Sequence, residues 1–142
     1  MSPKELEKFQ AEAEHDGLSI KVVADDVWHV TFVGAPTTLY EGEIYTLSIR
    51  FTDDYPMDSP EVTFIGGAPV HSHIYSNGHI CLNILGGDWS PALTVKSIVL
   101  SILSMMSSAT EKKPPLDNEM YVRGGMNKNP KRTQFMYHDD SV

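Results

Sequence analysis

Between Leu18 and Ile65 the chain alternates apolar and polar residues in four short runs, and no other feature restricts its fold so strongly. "LSIKVV" (18–23) and "VWHVTFV" (27–33) are separated only by Ala24-Asp25-Asp26, a plausible hairpin turn. In the second run Trp28, Val30 and Phe32 share one face and His29 and Thr31 the other, because successive strand side chains point to opposite sides. "IYTLSIRF" (44–51) repeats the pattern with Tyr45, Leu47, Ile49 and Phe51, and "EVTFI" (61–65) gives a shorter fourth strand. Local, hairpin-length connections favour a four-stranded antiparallel meander. Its apolar face needs a cover, which helices must supply.

Two segments can provide it. Ser2 and Glu5 stand at capping-box spacing, Pro3 suits a first helical position, and Leu6, Phe9 and Ala13 recur along one face before Gly17. This predicts a helix over about 3–15 with an acidic outer face of Glu5, Glu7, Glu12 and Glu14. In "TVKSIVLSILSMMSSA", Thr94 can cap a helix whose broad apolar face holds Val95, Ile98, Ile102 and Met105, with Val99, Leu103 and Met106. Lys112-Lys113 suit its end and Pro114-Pro115 prevent continuation. Helix, four strands and helix make an α+β layout. A short helix is expected near 118–123, and irregular or mobile structure over 124–142.

The 142 residues are expected to form one domain, 1–142, long enough to bury a core. A net charge of −8 argues against nucleic acid, and the Lys128, Lys131 and Arg132 cluster reads as a solvated tail. No run approaches the roughly 18 apolar residues of a membrane span, and "MSPKELEKFQ" lacks the apolar centre of a secretory signal. One cysteine excludes an internal disulfide. The expectation is a soluble intracellular protein, cytoplasmic or nuclear.

Residues 66–93 carry no sustained periodicity, yet Ile74, Tyr75, Ile80, Leu82, Ile84, Leu85 and Trp89 give them much to bury. A loop of that length in a compact domain is usually functional or disordered, and this composition argues for order. Asn77-Gly78 marks a tight turn ahead of the only cysteine, Cys81. Cys81 could be a small buried hydrophobe. It could join His71, His73 and His79 in a zinc shell, although the spacing matches no familiar zinc pattern. A cysteine hydrolase would need a base and an orienting partner that nothing local specifies. Finally, the thiol could carry an acyl group.

Three stretches, in order, carry a resemblance. "YPMDSP" (55–60) is similar to a Tyr-Pro-x-x-x-Pro turn, "HSHIYSNGHICLNIL" (71–85) to a His-Pro-Asn block followed by Ile-Cys-Leu, and "WSPALTVKSIVLSILSMM" (89–106) to a Trp-Ser-Pro-Ala-Leu segment entering a helix. Together they resemble the ubiquitin-conjugating enzymes (E2s), from the first helix through at least Ala109. His73 in place of the usual Asn, and the ending "NKNPKRTQFMYHDD", resemble the W-type branch, known for modifying α-amino groups. Ser72 replaces the usual proline, Met57 a frequent phenylalanine, and Lys4 and Lys8 are outnumbered by glutamates on the first helix.

The resemblance implies the ubiquitin-conjugating fold, an active-site loop, and a cycle in which Cys81 accepts ubiquitin from the activating enzyme (E1) and passes it to a substrate amine. It implies no cofactor and no metal, since ATP is used by the E1. Partners would be ubiquitin, E1, a RING or U-box ligase (E3) and protein substrates. His73 would support the oxyanion or the loop, His71 would be structural, and Asp117 would lie near the amine. Met57, Pro60, Ser90, Pro91 and Ala92 would form the E3 surface, with Trp89 packed beneath the loop. A partly exposed, shallow groove is expected around the sulfur, because burial would raise its pKa. A noncatalytic E2-like binding module is the alternative.

Overall fold

The protein is described by a computed structural model over residues 3–125. Helix α1 (Pro3–Ala13) leads into strands β1 (Leu18–Ala24), β2 (Val27–Val33), β3 (Ile44–Arg50) and β4 (Glu61–Ile65). A single 3-10 turn (Asn83–Leu85), helix α2 (Val95–Ser107) and helix α3 (Asn118–Gly125) follow. The strands pair antiparallel in the order β1-β2-β3-β4, so the meander and the α+β class are as expected.

The register explains the alternation. Trp28 stands opposite Ile49, which stands opposite Val62, and Val30, Leu47 and Phe64 form the next row. All six are buried, because they share the sheet face turned to the core. Val95, Ile98, Val99, Ile102, Met105 and Met106 of α2, with Phe9 and Ala13 of α1, complete the same core. Trp28 packs edge-on against Phe51 with ring centroids 4.6 Å apart.

Helix ends follow different rules at the two main helices. Thr94 and Ser97 form a reciprocal capping box at α2. At α1 the Ser2 half of the expected box lies outside the described residues, and Glu5 is engaged elsewhere. Its carboxylate accepts the Tyr55 hydroxyl at 2.7 and 2.9 Å and the Val95 backbone N–H at 2.9 Å. A negative group therefore meets the electropositive start of α2. Glu12 and Asp16 likewise bind Lys96 of α2. The expected outer acidic face thus loses Glu5 and Glu12 to inter-element contacts. Lys112 does not end α2 either: it binds Glu43 and lies 5.0 Å from the centre of the Tyr40 ring, tying the loop after α2 to the β2–β3 connection. Of the expected tail, only its first two residues fall within α3; Lys128, Lys131 and Arg132 lie outside the described residues.

Candidate functional site

The segment before Cys81 is a small hairpin. Gly78 N–H donates to the Tyr75 carbonyl across the turn, Tyr75 N–H to His79, and Cys81 N–H to His73 at 2.8 Å. The turn is pinned to the sheet because Phe64 N–H donates to the Gly78 carbonyl at 2.9 Å. Gly78 sits at φ +95°, and a Cβ there would stand 2.2 Å from the Phe64 carbonyl oxygen. Only glycine permits this approach. The Asn77-Gly78 turn is as expected, and Asn77 Oδ1 accepts His79 N–H.

His71 ties the hairpin to α2. Its Nδ1 accepts the His73 N–H at 2.9 Å, and its Nε2 lies 3.2 Å from the Met105 carbonyl. An accepting Nδ1 and a donating Nε2 define the neutral Nε2–H tautomer. The ring therefore engages backbone groups through both nitrogens. His73, 3% exposed, has its ring 5.7 Å from that of His71. Its backbone carbonyl accepts the Cys81 N–H.

Cys81 corrects the expectation of a shallow groove: the residue is 2% exposed. It shares one buried cluster with Tyr75 and with Tyr121 of α3, and Val122 packs against that cluster. Burial pushes the thiol up to about 11, and the negative charge of Asp117 adds to the shift. At pH 7.5 such a thiol is ionised in roughly one molecule in 3,000. Asp117 is held by the Tyr75 hydroxyl, which lies 3.0 and 3.1 Å from its two carboxylate oxygens. That same bond, after burial, raises the Tyr75 phenol above its ordinary value. Asp117 is thus close enough for its charge to act on the thiol.

Tyr121 is the residue that sequence reasoning missed. Its ring stacks on Tyr75 at 3.8 Å and 19°, and its hydroxyl lies 2.7 Å from His79 Nδ1. The short expected helix gave its location, but the partners are 42 or more residues away and leave no local signal.

On the opposite side of the hairpin two loops adjoin. Trp89 Nε1–H donates to the Pro56 carbonyl at 2.9 Å, and its ring lies 6.1 Å from Tyr55, joining the loops rather than facing out. Met57 is 73% exposed, Pro91 and Ala92 are exposed, and Ser90 is half-buried. Pro60 is a correction: it is buried, next to Ser59, whose hydroxyl lies 3.3 Å from the Leu85 carbonyl. It supports the surface from beneath and cannot touch a partner. Among the described residues no three His, Cys, Asp or Glu side chains converge as a metal site, and no helix is long and apolar enough to cross a membrane.

The fold and site define a class: an α+β scaffold holding one thiol at the end of a pinned hairpin, between a meander and the helix that backs it. The family model for ubiquitin-conjugating enzymes matches residues 2–138, and the chain belongs to that family. Among its relatives, ubiquitin-conjugating enzyme E2 W of Caenorhabditis elegans is 51% identical over 98% of this chain and 93% of its own length. The probable ubiquitin-conjugating enzyme E2 W of Dictyostelium discoideum is 54% identical over 82% of this chain and 78% of its own. The crystal structure of E2 UbcA1 from Agrocybe aegerita aligns with a TM-score of 0.80 at 39% identity, covering 92% of this chain and 99% of that one. The protein is therefore an E2 enzyme, whose family works with ubiquitin, an E1 and an E3.

Proposed function

We propose that Cys81 carries ubiquitin as a thioester and that the charged enzyme prefers α-amino groups as acceptors. The observation that carries the first part is the lone thiol at the end of the His73–Cys81 hairpin, its N–H held by a buried carbonyl. In loading, the Cys81 thiolate attacks the carbonyl carbon joining ubiquitin's terminal glycine to the E1 cysteine. A new S–C bond forms and the E1 thiolate leaves. In transfer, a neutral amine attacks the new thioester, the oxyanion collapses, Cys81 leaves as thiolate, and the nitrogen sheds its proton.

The amine preference rests on the E2 W relatives and on acid–base chemistry. With reference pKa values of ~10.4 for lysine and ~7.8 for an α-amine, roughly one lysine in 2,500 is neutral at pH 7, against about one α-amine in seven. A site for N-termini needs correspondingly less help from a base. Asp117, beside the sulfur and fixed by Tyr75, is the residue we assign to orient the amine. His73 holds the Cys81 N–H through its backbone carbonyl, and we assign it to support of the oxyanion or of the loop. Met57, Pro91, Ala92 and part of Ser90 form the surface for a RING or U-box E3. No cofactor is required beyond the ATP used by E1, and the cytoplasm or nucleus is the expected setting.

One observation favours a second reading, a noncatalytic ubiquitin-binding module: the near-complete burial of Cys81. Incubation with E1, ATP and ubiquitin, followed by nonreducing electrophoresis, separates the two. A thiol-sensitive adduct absent from Cys81→Ala supports the enzyme; its absence from the wild type supports the module. Discharge onto free lysine or onto a short peptide with a free N-terminus then tests acceptor preference, and faster lysine discharge would overturn it.

A further inference from the structure

An acyl carbon must reach bonding distance of the Cys81 sulfur, yet the residue is 2% exposed. The obstruction has an address. Tyr121, itself buried, shares one apolar cluster with Cys81 and Tyr75, and Val122 packs against that cluster. Both belong to α3, a helix of eight residues ending in two glycines. We propose that α3 is a lid on Cys81, closed here by the stack of Tyr121 on Tyr75, and that it lifts before the sulfur is acylated.

Among the described residues, the helix is attached through Asn118, Tyr121 and Val122, which share one face. Tyr121 stacks on Tyr75 and bonds His79. Asn118 Oδ1 accepts Ser76 N–H at 2.9 Å, and its Nδ2 donates to Ser76 Oγ at 3.1 Å. Asp117, at the entry to the helix, receives Tyr75. Met120 of the helix and Leu116 just before it are exposed. A helix this short is marginal in water and depends on its docking contacts. The preceding anchor is buried Pro115, which leaves the stretch from Leu116 to Asn118 as the hinge. These partners lie on the 75–79 turn. The energy scale suits a local opening that leaves the α2–sheet core intact.

The inference rests on Cys81 being the acceptor, but its test does not use ubiquitin. Alkylation of Cys81 by iodoacetamide is measured at pH 8 in the full chain and in Tyr121→Ala, Tyr121→Phe and Asn118→Ala. Tyr121→Ala should react about tenfold faster or more, equivalent to recovering one pKa unit of the buried thiol in addition to access. Tyr121→Phe, which keeps the stack, and Asn118→Ala, which keeps the ring, should rise by smaller factors. Rates within twofold of wild type in a folded Tyr121→Ala would refute the lid. Should that variant unfold, the wild type decides in low urea: local opening predicts a rate nearly independent of denaturant, whereas a rate that climbs with the slope of global unfolding refutes it. Faster alkylation without any ubiquitin adduct would sink the carrier reading and leave the lid standing; an adduct with unchanged alkylation does the reverse.

Discussion

Glu5 offers the sharpest test of how the elements around the site are held together. Its carboxylate joins α1 to Tyr55, in the loop before β4, and to the first N–H of α2. Tyr55 is buried, so Glu5→Ala leaves its hydroxyl without that acceptor. Hydrogen bonds to a charged group are worth ~1.5–3 kcal/mol, and a charge at a helix start adds ~0.3–1 kcal/mol. Glu5 is half-buried, which places the Tyr55 bond and the helix-start contribution at Val95 at the low end and their sum near ~2 kcal/mol. For a chain of this size that corresponds to a fall in Tm of about 4–8 °C. Thermal and urea unfolding of Glu5→Ala, Tyr55→Phe and the double variant should give a coupling energy of about 1 kcal/mol. Glu7, exposed on the same helix, is the control, and its alanine variant should stay within ~0.5 kcal/mol of wild type. If Glu5→Ala is no more damaging than Glu7→Ala, or the coupling is zero, the carboxylate does not bind these elements together.

Gly78→Ala should cost ~3 kcal/mol or more and abolish loading, since its Cβ would meet the Phe64 carbonyl at a positive φ; melting curves and the E1 charging assay check both. His71→Phe should lose about 2 kcal/mol by denaturant unfolding, because the Met105 carbonyl and the His73 N–H both lose a partner. Alkylation of wild-type Cys81 should rise nearly tenfold per pH unit from 7 to 10 and level off near 11. The same shift has a stability consequence. The folded thiol holds its proton above the ordinary value of 9.0, so the unfolded chain ionises first and stability declines between about pH 9 and 11. Cys81→Ala should flatten that decline in unfolding measured across the range.

The parts of this molecule that were legible in the sequence are those set by periodicity. The alternation of Trp28, Val30 and Phe32 and of Leu47, Ile49 and Phe51 specifies which faces meet, and the register joins those faces row by row. Thr94 and Asn77-Gly78 are local signals and appear where read. What could not be read was side-chain engagement across long separations. Glu5 looked like a cap because Ser2 stood three residues before it, while its real partner Val95 is 90 residues on. Pro60 looked like a surface residue because its motif borders one, and Lys112 looked like a helix end because proline follows. In each case the local pattern admitted two uses and tertiary contact chose the other.

Cys81 shows the same limit where it matters most for chemistry. The sequence specified the residue and the Asn77-Gly78 turn ahead of it, and the structure adds the hairpin pairing that joins the two. Exposure, however, is a property of what packs around a side chain, and Tyr121, which shares the buried cluster, lies about forty residues downstream in α3. Tyr75 links the two levels: it belongs to the hairpin, accepts the Tyr121 ring on its face, and donates to Asp117 with its hydroxyl. The contacts that bury the sulfur therefore also fix the carboxylate beside it. Lifting Tyr121 while Tyr75 keeps Asp117 would expose a thiol with its charged neighbour still in place. Losing Tyr75 would release both. Tyr75→Phe, which retains the stack and drops the Asp117 bond, should leave wild-type alkylation protection largely intact while slowing discharge to amines; equal loss of both properties would show that the two cannot be separated.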